Sequence, residues 1–510
     1  MSRVFLSLII IIFLIIIGLL PILSMVGSTF MHDGTFSFDE YRQLFTDQTL
    51  WRSFYHSVTL AGIVAFFATI VGTSLGILLG KTTLYGRYFW VILLLIPLLI
   101  PPYILAYGLS LLIQSSTYLT SLYFGFLGTS WVLFTIYLPI PMLLTFLFLQ
   151  NISPQLEEVA LLSSSWKKVL RFITIPLLYP AMGLSFVLVF ILSLGESSVA
   201  TFLRYDIFPI QSFIQFSAFY DFNTATIYTM PLIVIVFFIL IAQYRWMPLG
   251  NSIKIFNNSI LLIKIKKEYL TLSLLIPFII LMTLLPLWGI LQKSELKVFV
   301  ETITSSLPML LRSTLYASIG ATLLVTFGFF SAYIIYYRTS KLASFLNAML
   351  LFFFVLSSVV LGIGLIGFWN TPITNFIYAT PLIILIGYLI KYLFLSTKIM
   401  EHGISKIPYS LIEVAQLSGA SWGQIVKTIL IPLLRKSFMV AWIVGFIFTL
   451  RESTITMLVA PAGLSTLSIS ILTQMANGKE ATIASLCLVA ILLVIVPLLL
   501  LLALYKRNTQ

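Results

Sequence analysis

Glu158-Val-Ala160-Leu-Leu162-Ser163-Ser164-Ser165-Trp166, followed by Ile175-Pro176-Leu-Leu178, is repeated half a chain later. It returns as Glu413-Val-Ala415-Gln-Leu417-Ser418-Gly419-Ala420-Ser421-Trp422, followed by Ile431-Pro432-Leu-Leu434. The match continues beyond the prolines, where Leu194-Gly-Glu196-Ser197 corresponds to Leu450-Arg-Glu452-Ser453. Each glutamate stands 20 residues past its proline. In a chain of 510 residues a separation of 255 or 256 is half the length, so the sequence is an internal duplication.

The composition says what was duplicated. Hydrophobic residues make up 60% of the chain and charged ones 9%, against roughly 45–50% and about 25% in a soluble domain. Such a chain cannot cover its surface with polar groups. Its apolar runs of about 20 residues are each long enough to cross a bilayer. Twelve spans are predicted: 4–26, 57–79, 88–113, 131–149, 177–194, 227–243, 269–291, 313–336, 342–367, 375–393, 433–449 and 481–504. Six spans per half in the same order make a parallel duplication. The expected fold is an all-α polytopic membrane protein of two pseudo-symmetric six-helix bundles. The units are residues 1–243 and 269–510, joined by the polar, basic linker 244–268, and the repeated loops fall within 150–176 and 397–432.

An even span count puts both termini on one side. Of 29 lysines and arginines, 21 fall on that side, which predicts a multi-pass protein of the cell inner (plasma) membrane with both termini cytoplasmic. The net charge of +13 is then a topology signal, and no nucleic-acid partner is expected. The first run is longer than a signal-peptide core and lacks a small-x-small cleavage site, so it reads as an uncleaved span. The single cysteine, Cys487, and three dispersed histidines, His32, His56 and His402, offer no metal-ligand spacing. No catalytic residues are predicted. Gly76-Ile-Leu-Leu-Gly80-Lys81-Thr82 has three residues between its glycines where a phosphate loop needs four, and Lys81 reads as a snorkelling lysine at a helix end.

In the repeated loop, Glu-Val-Ala reads as a short helix with its carboxylate near the N-terminus, where the helix dipole favours it. Gly419 supplies a turn of positive φ. A second helix carries Trp422, Ile425 and Ile429 and is expected to end near Pro432. Such a helix-turn-helix could lie on the bilayer surface. Two copies at matched positions point instead to paired docking sites for two copies of one cytoplasmic partner.

With these residues in place, the pattern Glu-x-Ala-x-x-x-Gly-Ala-Ser, followed about a dozen residues later by Ile-x-Pro-Leu, resembles the signature loop of permease subunits of binding-protein-dependent ABC importers. The resemblance covers essentially the full chain, as two fused permease units. It implies the type I ABC importer permease fold, with a coupling helix in each loop seated on a cytoplasmic ABC ATPase present in two copies. It also implies an extracytoplasmic solute-binding protein, ATP used by the partner subunit, and no cofactor bound by this chain. The implied coupling residues are Glu158, Ala160, Ser164, Trp166 and Pro176 in the first loop, and Glu413, Ala415, Gly419, Ala420, Trp422 and Pro432 in the second. The first copy departs from the pattern: it is one residue shorter and has Ser163–Ser165 where the glycine belongs, so the two docks are expected to differ.

Pro97-Leu-Leu-Ile-Pro101-Pro-Tyr103-Ile-Leu-Ala106-Tyr107 is similar to the third span of fused permeases of the ferric-iron type, which makes ferric iron the expected solute. Thiamine, phosphonate and polyamine permeases are close alternatives. A twelve-span secondary transporter driven by an ion gradient is the alternative from another class. Gly86-Arg87 suits its loop motif, but the aspartate expected there is missing and that class has no duplicated Glu-x-Ala loop. Glu196 and Glu452, at the outer ends of spans five and eleven, have two readings. They pair with Arg204 or Arg451 or sit at exposed helix ends, or they line the mouth of a path for a cationic or metal-bearing solute.

Overall fold

The computed structural model describes residues 3–32, 35–36, 38–246, 260–264, 268–337 and 341–507. The described chain is helical apart from one two-residue pairing of Met31–His32 with Thr35–Phe36 and a single bridge between Thr82 and Ile263. Among the described residues ten helices are long and apolar enough to cross a membrane. Two further pairs are bent spans: Arg87–Leu99 with Pro102–Ile113 at 95°, and Lys341–Val355 with Ser358–Trp369 at 106°. Counting each bent pair once gives twelve, the all-α polytopic architecture expected. In the first pair Pro101 and Pro102 have no N–H to continue the ladder. The second pair has no proline at its bend, where the Ser357 hydroxyl accepts the Val359 N–H at 3.4 Å.

The tenth span lies further along the chain than 375–393. The helix is Leu382–Ser405, with Pro381 at its N-cap, where a missing N–H costs nothing. Lys391, two residues from the end of the expected span, lies well inside this helix and is 8% exposed. Its ammonium donates to the Leu356 carbonyl, freed by the bend in the neighbouring span.

Among the described residues four spans contain a π turn: Ile15–Leu19, Leu170–Thr174, Ile280–Leu284 and Val426–Leu430. Each is followed by a helix with proline at its second position: Pro21, Pro176, Pro286 and Pro432. A proline in a regular helix loses a hydrogen bond and its ring crowds the carbonyl four residues back; the wider π turn relieves the crowding. This corrects the helix end expected near Pro432. Trp166–Gly195 and Trp422–Arg451 each run through their proline as 30-residue helices.

The compact units do not follow the sequence halves 1–243 and 269–510. One comprises Met1–Tyr41, Gln215–Met230 and Leu296–Gln510, the other Arg42–Ile214 and Pro231–Glu295. Each unit thus holds the entering span of the opposite half. In the second unit that span packs against Pro102–Ile113 at backbone contact distance. A Cβ on Gly108 would lie 2.2 Å from the Pro286 oxygen, and one on Gly289 would lie 2.1 Å from the Gly108 oxygen. Small residues permit this approach, which in lipid is what holds helices together. In the first unit, Leu20–Ser28 lies along Ser358–Trp369, where a Cβ on Gly364 would stay 3.6 Å from the Pro21 oxygen.

The units also share a device at the end opposite the repeated loops. Ser57 accepts the Phe208 N–H at 2.7 Å in one, and Ser313 accepts the Leu467 N–H at 2.7 Å in the other. Each bond ties a long helix to the start of a shorter one. Of the linker 244–268, residues 247–259 and 265–267 lie outside the described residues.

Candidate functional site

Each repeated loop is a short helix, a turn and the start of a long span. The first begins at Pro154, whose fixed φ suits a helical N1 position, and runs to Ser163. Ser164 and Ser165 are extended, with φ of −143° and −82°, and Trp166 opens the next helix. The second runs Tyr409–Leu417 and closes with Gly419 at φ 81°. There the Gly419 N–H reaches the Gln416 carbonyl and the Ala420 N–H the Ala415 carbonyl, both at 3.0 Å. This is the double closure that a left-handed residue after a helix permits. Ser421 then caps Trp422–Ile425 in a reciprocal pair with Gln424. The serine-for-glycine departure of the first loop is therefore absorbed by extended backbone instead of a left-handed turn.

The surfaces of the two short helices match. Leu156, Val159 and Leu162 are 56%, 65% and 88% exposed, and Leu411, Val414 and Leu417 are 46%, 61% and 88% exposed. Spacing of three residues puts each set on one face. Glu158 and Glu413 are exposed on the same helices, next to these leucines and valines. The apolar stripe was legible in the sequence as Leu-x-x-Val-x-x-Leu but carried no weight until its exposure was known. Ala160, Ser164, Trp166 and Pro176 are half-buried in the first loop. In the second, Gly419 and Pro432 are exposed, while Ala415, Ala420 and Trp422 pack on a buried cluster that includes Ile412, Ile425 and Leu430. The Trp422 ring meets Tyr333 edge-on at 5.9 Å.

Sequence reading missed Glu157, next to Glu158. It is 1% exposed and forms an ion pair with Lys81, also 1% exposed. Lys81 therefore does not snorkel as expected. Its counter-ion comes from a loop 76 residues away, which no local pattern could reveal.

Glu196 and Glu452 follow the far ends of the two 30-residue helices. Glu196 accepts the Ser198 N–H at 3.0 Å and the Ser198 hydroxyl at 2.6 Å. Glu452, 7% exposed, accepts the Ile455 N–H at 3.0 Å and the Tyr392 hydroxyl. Both carboxylates satisfy donors at the start of the next short helix, as N-terminal caps do. Arg204 and Arg451 lie over the rings of Phe124 and Phe448 at 5.9 and 5.0 Å. Among the described residues no group of three or more His, Cys, Asp or Glu could hold a metal ion.

Residues 324–510 match the family described as binding-protein-dependent transport system inner membrane component. A ferric transport system permease protein of Actinobacillus pleuropneumoniae is 23% identical over 93% of this chain and 74% of its own. An Fe(3+)-transport system permease protein of Haemophilus influenzae is 21% identical over 88% of each chain. A spermidine/putrescine transport system permease protein of Haemophilus influenzae is 29% identical over 38% of this chain and 78% of its own. The chain is a multi-pass membrane protein that resembles binding-protein-dependent ABC permeases, the ferric permeases along nearly its whole length.

Proposed function

We propose that this chain is the transmembrane permease of an ATP-driven importer, two permease units fused, with ferric iron as its solute. The observation that carries the coupling half of this reading is the matched pair of exposed apolar stripes, Leu156/Val159/Leu162 and Leu411/Val414/Leu417. Solvent-exposed apolar side chains on a polar loop call for a partner, and burying each one fully is worth about 1.5–3 kcal/mol. Two equivalent stripes on a duplicated chain fit two copies of one cytoplasmic ATPase. Glu158 and Glu413 beside them offer charge-assisted bonds. Both termini and both loops are cytoplasmic in this reading.

The mechanism follows from how the loops are mounted. Each short helix feeds through its turn into an unbroken 30-residue helix, about 45 Å long at 1.5 Å per residue. Drawing the loops together as the ATPases close on ATP would move both levers as rigid bodies. Glu196 and Glu452 at the far ends brace the next short helices, so the motion reaches the opposite mouth. ATP binding would then supply the differential stabilisation between inward-open and outward-open states that alternating access requires. The choice of ferric iron rests on the relatives matched over most of the chain, and the solute-binding protein would deliver it from outside.

Reconstitution with the cognate ATPase and binding protein tests the reading. Radioiron uptake is expected to require ATP and the binding protein, and Leu162→Glu and Leu417→Glu are each expected to lose ATPase co-purification. Uptake driven by an ion gradient without ATP would overturn it. So would glutamate variants that retain the ATPase and transport normally.

A further inference from the structure

The first loop is anchored by charge where the second is anchored by apolar packing. Glu157 lies in the first turn of the helix Pro154–Ser163, and Lys81 is the last residue of the helix Gln48–Lys81. Besides the ion pair, the Thr174 hydroxyl donates to Glu157 at 2.8 Å, and Thr174, fully buried, ends the π turn Leu170–Thr174. One carboxylate thus joins the end of a long helix, the start of the loop helix and the entry to the 30-residue lever. Both charges sit at helix ends that favour their signs. Across the duplication, Tyr337 ends the long helix Leu296–Tyr337 as Lys81 ends its own, Ile412 stands 255 residues after Glu157, and Leu430 ends the π turn Val426–Leu430 as Thr174 ends its own. All three of these residues lie in or against one apolar cluster. The charged set has a further tie: the Lys81 carbonyl accepts the Ile263 N–H at 2.8 Å, and the Thr83 N–H donates to the Ile263 carbonyl at 3.1 Å. A residue from the end of the linker is thereby bonded to the backbone of the lysine that holds the loop.

We infer that Lys81, Glu157 and Thr174 are positioning residues, a buried polar latch that fixes the first loop on its lever. A buried pair adds little net stability over an apolar set of similar volume, but it tolerates only one geometry, and losing one partner strands a charge. The latch therefore makes the first loop brittle towards single substitutions, whereas the second loses packing gradually. Its consequence for coupling rests on the reading of the loops as ATPase docks. The latch itself does not.

The test uses protein purified in detergent without ATPase, in a Cys487→Ala background carrying either Val169→Cys or Ile425→Cys as a maleimide target. These equivalent positions are 1% and 2% exposed, so labelling there is slow until the segment opens. With Glu157→Gln, labelling at position 169 is expected to accelerate by on the order of tenfold or more, as the segment opens locally. Labelling at position 425 should stay unchanged. The charge-reversed pair Lys81→Glu/Glu157→Lys and the apolar transplant Lys81→Tyr/Glu157→Ile/Thr174→Leu should each restore slow labelling, so that one suffices if the other fails to insert. Unchanged labelling at 169 in Glu157→Gln, or equal acceleration at both sites, would overturn the latch. Accelerated labelling at 169 alone, with ATPase capture intact, would uphold the latch and overturn the docking role of this loop.

Discussion

Replacing Gly419 isolates backbone geometry from packing. The residue has φ 81°, and a Cβ built on it would find nothing within 4 Å. Any cost of substitution is therefore conformational. An L-residue in the left-handed region pays about 1–2 kcal/mol, and a β-branched one up to about 3 kcal/mol. If the turn relaxes instead, the 3.0 Å bonds from Gly419 to Gln416 and from Ala420 to Ala415 are lost, at about 1 kcal/mol net each. The strain lowers the equilibrium constant between native and relaxed turn by about tenfold for Gly419→Ala and about a hundredfold for Gly419→Val, at 1.4 kcal/mol per decade. Gly419→Asn should fall nearest the parent, because asparagine enters this region more readily. The assay is ATPase capture and ATP-dependent transport at matched membrane abundance. The expected order is Gly, Asn, Ala, Val. If Gly419→Val captures ATPase as the parent does, or Asn is as damaging as Val, the turn is not what presents the second loop.

Cysteines at positions 163 and 418 should both be labelled only after the inner membrane is permeabilised; labelling from outside intact cells would reverse the proposed orientation. Gly108→Val should abolish stable assembly, since its Cβ would fall 2.2 Å from the Pro286 oxygen, whereas Gly364→Ala at 3.6 Å should be tolerated; melting in detergent and membrane abundance report both. Glu452→Ala should cost about 1–3 kcal/mol by stranding buried donors, and more than Glu196→Ala at the half-exposed equivalent site. Equal melting shifts for the two glutamate variants would show that burial does not set their difference.

What the sequence determined by itself is whatever depends on local composition and period. Runs of apolar residues had to become helices, because lipid offers no partner for free backbone groups. The duplication, the loop positions and the left-handed turn at Gly419 were equally legible, since each is written in contiguous residues. Lys391 and the tenth span show where that reading slips: a polar residue in an apolar run looks like a boundary until its acceptor, the Leu356 carbonyl, is found on another helix. Only the tertiary structure decided how the spans are shared between compact units, because backbone approach at Gly108 and Gly289 depends on shape and leaves no periodic trace. It alone separated Glu157 from Glu158, neighbours of identical chemistry. One turns inward to Lys81 and the other faces out, and the cause is a lysine 76 residues earlier whose helix ends at that point.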